Sequence, residues 1–301
     1  MLFASGYLQS WARRRSLRLV LSRKGLDSKE GGFASPILPD NRLCWLPIPG
    51  GQGTTYGELL CADVDVAEIV RSLSRGRFDG ESTCHLDPDL NRGAHARSRS
   101  WVGAFGQVGA AQSHLAAQGV GPGDLFLFFG WFRRVREGTA GWHYKPDAPD
   151  VHVLWGWLQV DRVIALGEGE AAPRTTLYHP HVAYRDCYPE RNNALYVARD
   201  TLDVSGSEGL PGCGTFARLA PQLQLTAPHA RSRSLWRVPS WFAPRGGRTP
   251  LTYHGDASRW TVAGAWAQLS TVSRGQEFVL HLEQYPKAQA WLAQVLRSSA
   301  A

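Results

Sequence analysis

The chain has 301 residues, of which 43% are hydrophobic and 20% are charged, and its formal net charge is +7. This balance is typical of a globular protein with a substantial core, and no apolar run approaches the ~20 residues of a membrane-spanning helix. Lysine occurs at only four positions, so arginine supplies most of the positive charge. Arginine favours a polyanion partner such as nucleic acid, and GC-rich coding is the alternative source of the same bias.

Residues 1–16 have an apolar start and a basic end, the reverse order of a secretory signal, which predicts a disordered leader. Residues 17–301 show no repeat and no sharp change in composition, so we predict a single α+β domain. The five cysteines are scattered and never form a C-x-x-C pair, which argues against a disulfide framework and against a structural zinc. We therefore expect a cytoplasmic protein with no membrane contact. The sequence leaves the oligomeric state open.

The first predicted element is a strand in "SLRLVLSRK", followed by a Gly-containing turn. This turn carries two cations, a carboxylate and a hydroxyl, namely Arg23, Lys24, Asp27 and Ser28. A polar turn is most often solvated, but a strand end that feeds a Gly-rich loop is also a common place for ligand-binding groups. Both interpretations stay open from the sequence alone.

The next segments predict short hairpins and helices. "PDNR", between short apolar runs, indicates a hairpin turn. Val66, Ile69, Val70 and Leu73 have helical spacing, and "GAAQSHLAAQGV" predicts a second helix that ends at Gly119. Near the C-terminus the pattern predicts a strand around "EFVLHL" and then a helix from residue 287.

Two aromatic strands are the strongest elements predicted, at residues 123–132 and 151–166. Trp155 and Trp157 are two apart on the second strand and are therefore expected to face the same side. Together with Trp131 they are candidates for stacking on a nucleobase. Packing in the core is the alternative use of paired tryptophans.

Two short segments combine histidine and aspartate. "CHLDPDL" places His85, Asp87 and Asp89 at a spacing of two, which on a strand puts them on one face within reach of a metal ion. Pro88 interrupts that strand pattern and favours a turn instead. "YHPHV" adds His179 and His181. Nothing in the sequence brings the two segments together, so we assign no metal ligand.

Further polar candidates flank a predicted helix and the last strand. "FGQVGAAQSHL" places Gln107 and His114 around a helix start, where free backbone amides favour an anion. It lacks the lysine of a standard phosphate loop. "SRGQEF" contains Arg274 and Gln276, whose guanidinium and amide groups suit the edges of bases.

The central segment resembles part of the PUA-like superfamily, which includes the EVE, ASCH and YTH domains. The matching residues are Gly123 and Asp124, residues 125–129, and then Gly156, Leu158, Val160 and Val163. This resemblance implies a mixed, barrel-like β core with flanking helices and a cleft for one flipped-out base.

A second resemblance covers nearly the whole chain. The segments "SRKGLDS", "GGFASPILPDNRLCWLPIP", "HLDPDL", "FGQVGAAQSHL", "GDLFLFFGWFR", "HVLWGWLQV", "HPHV" and "SRGQEFVL" together resemble the nucleotide modification associated domain 3 family. This family occurs in bacteria and phages beside DNA-modification genes. The resemblance implies a role in modifying nucleotides, or in recognising modified ones, and names neither a reaction nor a cofactor.

These observations leave three hypotheses. The first is an enzyme that modifies nucleic-acid bases, and its partner is either nucleic acid, with DNA favoured over RNA, or a nucleotide. Its candidate catalytic residues are Lys24, Asp27, His85, Asp87 and His181. The second is a reader of modified bases without turnover. The third is a metal-dependent hydrolase of a small molecule, built on the His and Asp segments. The candidate nucleic-acid contacts are Arg23, Ser28, Gln107, His114, Trp131, Trp155, Trp157, Arg274 and Gln276.

Overall fold

The computed structural model of the protein describes residues 17–61, 63–273 and 275–299. The predicted leader at residues 1–16 and the candidate contact Arg274 therefore lie outside the described residues.

The described strands are numbered in chain order. They are β1 (Arg18–Arg23), β2 (Ser35–Ile37), β3 (Ile48–Pro49), β4 (Leu60–Cys61), β5 (Val64–Asp65), β6 (Cys84–His85), β7 (Ala104–Gln107), β8 (Leu125–Gly138), β9 (Gly141–Tyr144), β10 (Val151–Ile164), β11 (Ala194–Ala198), β12 (Cys213–Thr215), β13 (Leu235–Pro239), β14 (Trp260–Ala263), β15 (Trp266–Ser270) and β16 (Glu277–His281). The α-helices are α1 (Val66–Leu73), α2 (Gly109–Ala117), α3 (Pro180–Ala183) and α4 (Ala288–Leu296).

One large mixed sheet organises the molecule. Its strand order is β16-β1-β8-β10-β11-β7, with β2 and β9 added to β8, and β12 added to β10. β1 and β2 run parallel to β8, and the other pairs are antiparallel. A separate sheet has the order β13-β15-β14, and β3-β6 and β4-β5 form two small ladders.

The large sheet is not a closed barrel. Its edge strands β16 and β7 share no backbone ladder in the part of the chain that the structure describes. Side chains bridge these edges instead, since Gln107 of β7 hydrogen-bonds Glu277 of β16 at 2.6 Å. The α+β class with flanking helices is thus confirmed, whereas the PUA-like resemblance is not.

The apolar residues of β8 and β10 form the centre of the core. Residues 125–130 of β8 are all buried, because β8 lies between β1 and β10 and both of its faces are covered. β10 is buried from residue 151 to residue 160. A second apolar cluster packs α1 against β9 and the 33–46 segment.

The first helix forms as its sequence predicts. Asp65 caps α1 by accepting a hydrogen bond from the Glu68 amide at 3.1 Å, and the apolar residues of the helical stripe are buried. α2 ends as expected, with Gly119 in the left-handed conformation at φ 65°. No helix among the described residues has the length and apolar character needed to cross a membrane.

Candidate metal centre

Two segments that are about ninety residues apart in sequence meet at one site. His85 ends β6 and Asp87 follows shortly after it, while His179 is the N-cap of α3 and His181 lies in its first turn. We call these four residues the histidine cluster. The His85 Nε2 and His181 Nε2 atoms each lie 3.7 Å from Asp87 Oδ2, and His179 Nε2 lies 3.1 Å from Asp87 Oδ1.

His179 orients the carboxylate of Asp87. Its Nδ1 accepts a hydrogen bond from the His181 backbone amide at 3.3 Å, so the proton of a neutral His179 ring is on Nε2 and is donated to Asp87 Oδ1. The Gly106 amide donates to the same oxygen at 2.8 Å. Oδ1 is therefore satisfied by two donors, which leaves Oδ2 facing His85 and His181.

The outer nitrogens of the other two histidines also have partners. His181 Nδ1 lies 2.8 Å from Asn193 Oδ1, an acceptor, so Nδ1 carries the proton and Nε2 keeps its lone pair. His85 Nδ1 pairs with the Tyr188 hydroxyl at 3.1 Å. The Tyr188 ring also stacks on His181, with centroids 4.2 Å apart and an interplanar angle of 10°. Partners of this kind fix the tautomer and the ring orientation of metal-binding histidines.

The three inward atoms have the spacing of a metal site. His85, Asp87 and His181 each offer one ligand atom, and these three atoms lie within 4.8 Å of one another. Ligand atoms about 2.0–2.2 Å from one shared ion would lie roughly 3–3.6 Å apart, so the 3.7 Å separations are close to a ligand set. Two imidazoles and one carboxylate are donors shared by catalytic zinc sites and non-haem iron sites.

The protonation states suit cation binding. Burial lowers the pKa of His181 to about 4, against the opposing influence of the Asp87 charge. Burial alone would raise the pKa of Asp87, but its contacts with His179 and His85 and the histidine charges hold that pKa well below the ordinary value. At neutral pH the site therefore presents an ionised carboxylate beside a neutral imidazole.

A glycine is required where β7 passes the cluster. A Cβ placed on Gly106 would lie 2.4 Å from the His181 ring, well inside van der Waals contact. The missing side chain lets the β7 backbone approach both His181 and Asp87. The first glycine of the pattern "FGQVG" thus allows this close approach. The second glycine, Gly109, donates its backbone amide to Asn192 Oδ1 at 3.0 Å.

A second polar group lies nearby, formed by Lys24, Gln107 and Glu277, which we call the lysine cluster. Lys24 Nζ lies 3.0 Å from Glu277 Oε1, and Gln107 Nε2 donates to the same oxygen at 2.6 Å. The ammonium group also lies 4.6 Å from the centre of the Phe105 ring. Lys24 is therefore paired with an acid 253 residues away and not with Asp27.

β7 separates the two clusters. Gln107 belongs to the lysine cluster and Phe105 contacts it. Gly106, between these two residues, faces His181. Because successive residues of a strand point to opposite sides, Lys24 and the histidine cluster lie on opposite faces of this strand. The predicted catalytic set is thus divided, with Lys24 in the lysine cluster, Asp27 in neither cluster, and the other three residues in the histidine cluster.

The rest of the first turn is held by hydrogen bonds within the protein. The Asp27 carboxylate accepts from the amides of Lys29 and Glu30 at 2.7 and 2.8 Å, which shapes the turn. Ser28 Oγ accepts from Arg233 at 2.7 Å. Arg23 donates to the carbonyls of Ser273 and Gly275.

The predicted aromatic contacts are mostly internal. Trp155 and Trp157 are only 1% and 2% exposed, so neither provides an open stacking surface. Trp155 stacks on Trp45 with centroids 4.1 Å apart and lines a cavity of about 270 Å³. Trp131 is partly exposed, with the guanidinium of Arg233 4.2 Å from its ring centre.

The remaining predicted contacts lie at the rim of the lysine cluster. His114 of α2 lies 3.2 Å from Thr252 Oγ1, and its ring packs on Tyr253. Gln276 is exposed, and its carbonyl accepts the Arg23 amide at 2.8 Å.

Sequence reasoning did not identify two of the functional candidates, and it assigned no role to a third, Glu277. Tyr188 and Asn193 support the histidine cluster from loops with no recognisable motif. Glu277 gave a usable signal, because it is a charged residue at the start of the otherwise apolar strand "EFVLHL" and is 1% exposed.

Comparison with known proteins supplies the family. No curated protein and no solved structure matches the chain. The model of the nucleotide modification associated domain 3 family matches residues 18–281, which include every strand and both clusters. The chain therefore belongs to the nucleotide modification associated domain 3 family, which connects it with nucleotide modification.

Proposed function

We propose that this protein is a metal-dependent enzyme that modifies nucleotides or nucleic-acid bases, with His85, Asp87 and His181 as the metal ligands. This proposal rests mainly on two imidazole Nε2 atoms that converge on Asp87 Oδ2. Each Nε2–Oδ2 distance is 3.7 Å, which is too long for a hydrogen bond. A divalent cation would be stabilised by all three atoms at once.

The surrounding residues support a catalytic ion. Three protein ligands leave coordination positions open for water or substrate, whereas structural zinc sites fill all four positions with side chains. The His85 side chain is 15% exposed, so the cluster can be reached from solvent on that side. The bound metal would supply Lewis-acid polarisation or an activated water. His179, Asn193 and Tyr188 would keep the ligands in position.

The substrate class rests on family membership and on charge. The family description concerns nucleotide modification, and the net charge of +7 favours an anionic ligand. DNA is the first polymer to test. If the protein contacts several phosphates, its binding constant K should fall with salt concentration. The slope of log K against the logarithm of the salt concentration should be roughly −0.7 to −0.9 per phosphate contacted.

The metal is tested first by binding. Purified protein is stripped with chelator, incubated separately with Zn²⁺, Fe²⁺ under anaerobic conditions, or Mn²⁺, and analysed for metal content after desalting. We expect one ion per chain in the wild type and none in Asp87→Ala. His143→Ala, at an exposed histidine outside the cluster, is the matched control and should retain the ion. Equal metal content in Asp87→Ala and wild type would refute the assigned ligands.

Activity is tested with the same proteins. DNA, RNA and free nucleotides are incubated with metal-loaded protein, digested and analysed by mass spectrometry for modified nucleosides. We expect a product that depends on the metal and disappears in His85→Ala and Asp87→Ala. A product formed equally by these variants would place the chemistry elsewhere. Stoichiometric metal without any product from a full substrate panel would contradict the enzymatic function.

A further inference from the structure

The lysine cluster contains a buried acid that is only half satisfied. Glu277 is 1% exposed, and Gln107 and Lys24 both contact its Oε1. Its Oε2 has no hydrogen-bond partner among the residues that the structure describes. An unsatisfied buried carboxylate oxygen is costly, and native proteins keep few such groups.

A second unsatisfied group lies beside it. Ser22 of β1 is directly opposite Glu277 of β16 in the ladder, and cross-strand neighbours of this kind lie on the same face. The Ser22 hydroxyl is buried and also has no partner within the described ranges. Lys24, two residues further along, contacts Glu277 from the same side. A free acceptor, a hydroxyl and an ammonium group therefore lie together.

The rim of this polar group is aromatic. Tyr253 is 52% exposed, and its ring lies 4.7 Å from that of His114. A Cβ on Gly275 would touch the Tyr253 ring at 3.5 Å, and the Gly275 carbonyl accepts a hydrogen bond from Arg23, the neighbour of Lys24. The exposed ring and the lysine cluster are thus connected through residues 275–277.

Tyr253 is held in an unfavourable backbone conformation. Its φ is 66°, a left-handed value that is uncommon for a bulky residue. Strained residues of this kind occur preferentially at functional sites. Glycine would adopt this conformation freely, so the cost of keeping tyrosine here calls for a role of its ring.

We propose that the lysine cluster and Tyr253 form a nucleobase-binding subsite, distinct from the histidine cluster. Lys24 and Glu277 present a donor and an acceptor side by side, which matches the adjacent acceptor and donor groups on the edge of a base. Tyr253 supplies the stacking surface. The choice of a nucleobase as ligand rests on the proposed function, whereas the half-satisfied polar group is independent of it.

The test compares binding by two variants of the full chain. The probes are the four deoxynucleoside monophosphates, with deoxyribose 5-phosphate as the ligand that lacks a base. Binding is measured by calorimetry after chelator treatment, and metal uptake is measured separately. Wild type should bind at least one deoxynucleotide at least tenfold more tightly than the sugar phosphate.

The first variant is Lys24→Met with Glu277→Gln. Replacing both partners of a buried ion pair avoids leaving one charge alone, so this double variant should fold. The second is Tyr253→Gly, which removes the ring and the backbone strain together. We expect both to bind the nucleotide at least tenfold more weakly while metal uptake is unchanged. Trp266→Ala, which removes a ring 49% exposed in the β13-β15-β14 sheet, is the matched control and should bind like wild type.

The outcomes separate this inference from the proposed function. Wild-type affinity in both variants, or no deoxynucleotide binding by wild type, would overturn the subsite. Nucleotide binding that depends on Lys24, Glu277 and Tyr253 in a protein that takes up no metal would support the subsite and refute the metal-dependent function. If the double variant fails to fold, Tyr253→Gly alone decides the result.

Discussion

Acid should destabilise the protein through His152, which is buried in the sheet. Its side chain packs between Phe129 and Trp236, and its Nδ1 accepts a hydrogen bond from the indole Nε1 of Trp236 at 3.0 Å. Burial, with smaller contributions from the charges of Arg233 and Arg23, lowers the pKa of His152 to about 3. The folded protein therefore holds this ring neutral.

The sign of the effect follows from the two states. An unfolded histidine titrates near 6.5 and takes up a proton as the pH falls, whereas folded His152 does not do so until about pH 3. Its contribution to stability is complete above the unfolded pKa and is lost as the pH falls from about 6.5 toward 3. Stability changes by 1.36 kcal/mol per pH unit, but only below the unfolded pKa of about 6.5. Between pH 7 and pH 5 the loss from this one group is therefore about 2 kcal/mol.

The assay is urea denaturation at pH 7 and pH 5 in the presence of chelator, so that metal binding does not contribute. The variant is His152→Gln, whose amide oxygen can still accept from Trp236 but does not titrate. The decrease in the free energy of unfolding from pH 7 to pH 5 should be about 2 kcal/mol smaller in this variant than in wild type. Exposed His143→Gln serves as the control and should behave like wild type. An equal loss in wild type and His152→Gln would show that His152 is not held neutral by the fold.

Three further outcomes are expected. Gly106→Ala places a Cβ 2.4 Å from the His181 ring and should weaken metal binding by about 10–100-fold, measured by competition with a chelating dye. His179→Ala should cause a similar loss while one ion per chain still binds at saturation; abolished binding would make His179 a ligand. Asp65→Ala removes the cap of α1 and should lower the free energy of unfolding by about 1 kcal/mol, with unchanged metal affinity.

The parts of the fold that sequence predicted are those set by local pattern. The apolar stripe of α1 and the aromatic runs of β8 and β10 gave the correct elements, because helix and strand periodicity are properties of short segments. β7 was missed as a strand. Its four residues include Gly106, and its place in the sheet depends on pairing with β11.

The candidate site was predicted in parts but not as a whole. His85, Asp87 and His181 were each recognised as metal-binding residue types, but their meeting depends on contacts between segments far apart in sequence. Lys24 was recognised as unusual, but its partner Glu277 is supplied by a distant strand. Of the two uses that the sequence leaves open for Trp155 and Trp157, the buried rings favour packing in the core over stacking on a base, because a central strand is covered on both faces.

The pairing of β1 with β16 has a consequence for biogenesis. Residues 18–23 leave the ribosome well before their antiparallel partner, which spans residues 277–281. During synthesis β1 can pair with β8, while its other edge stays uncovered until β16 has emerged. An uncovered apolar edge is open to pairing with other chains. Ribosome-bound fragments that end before residue 277 should therefore need chaperones more than chains that include β16 do.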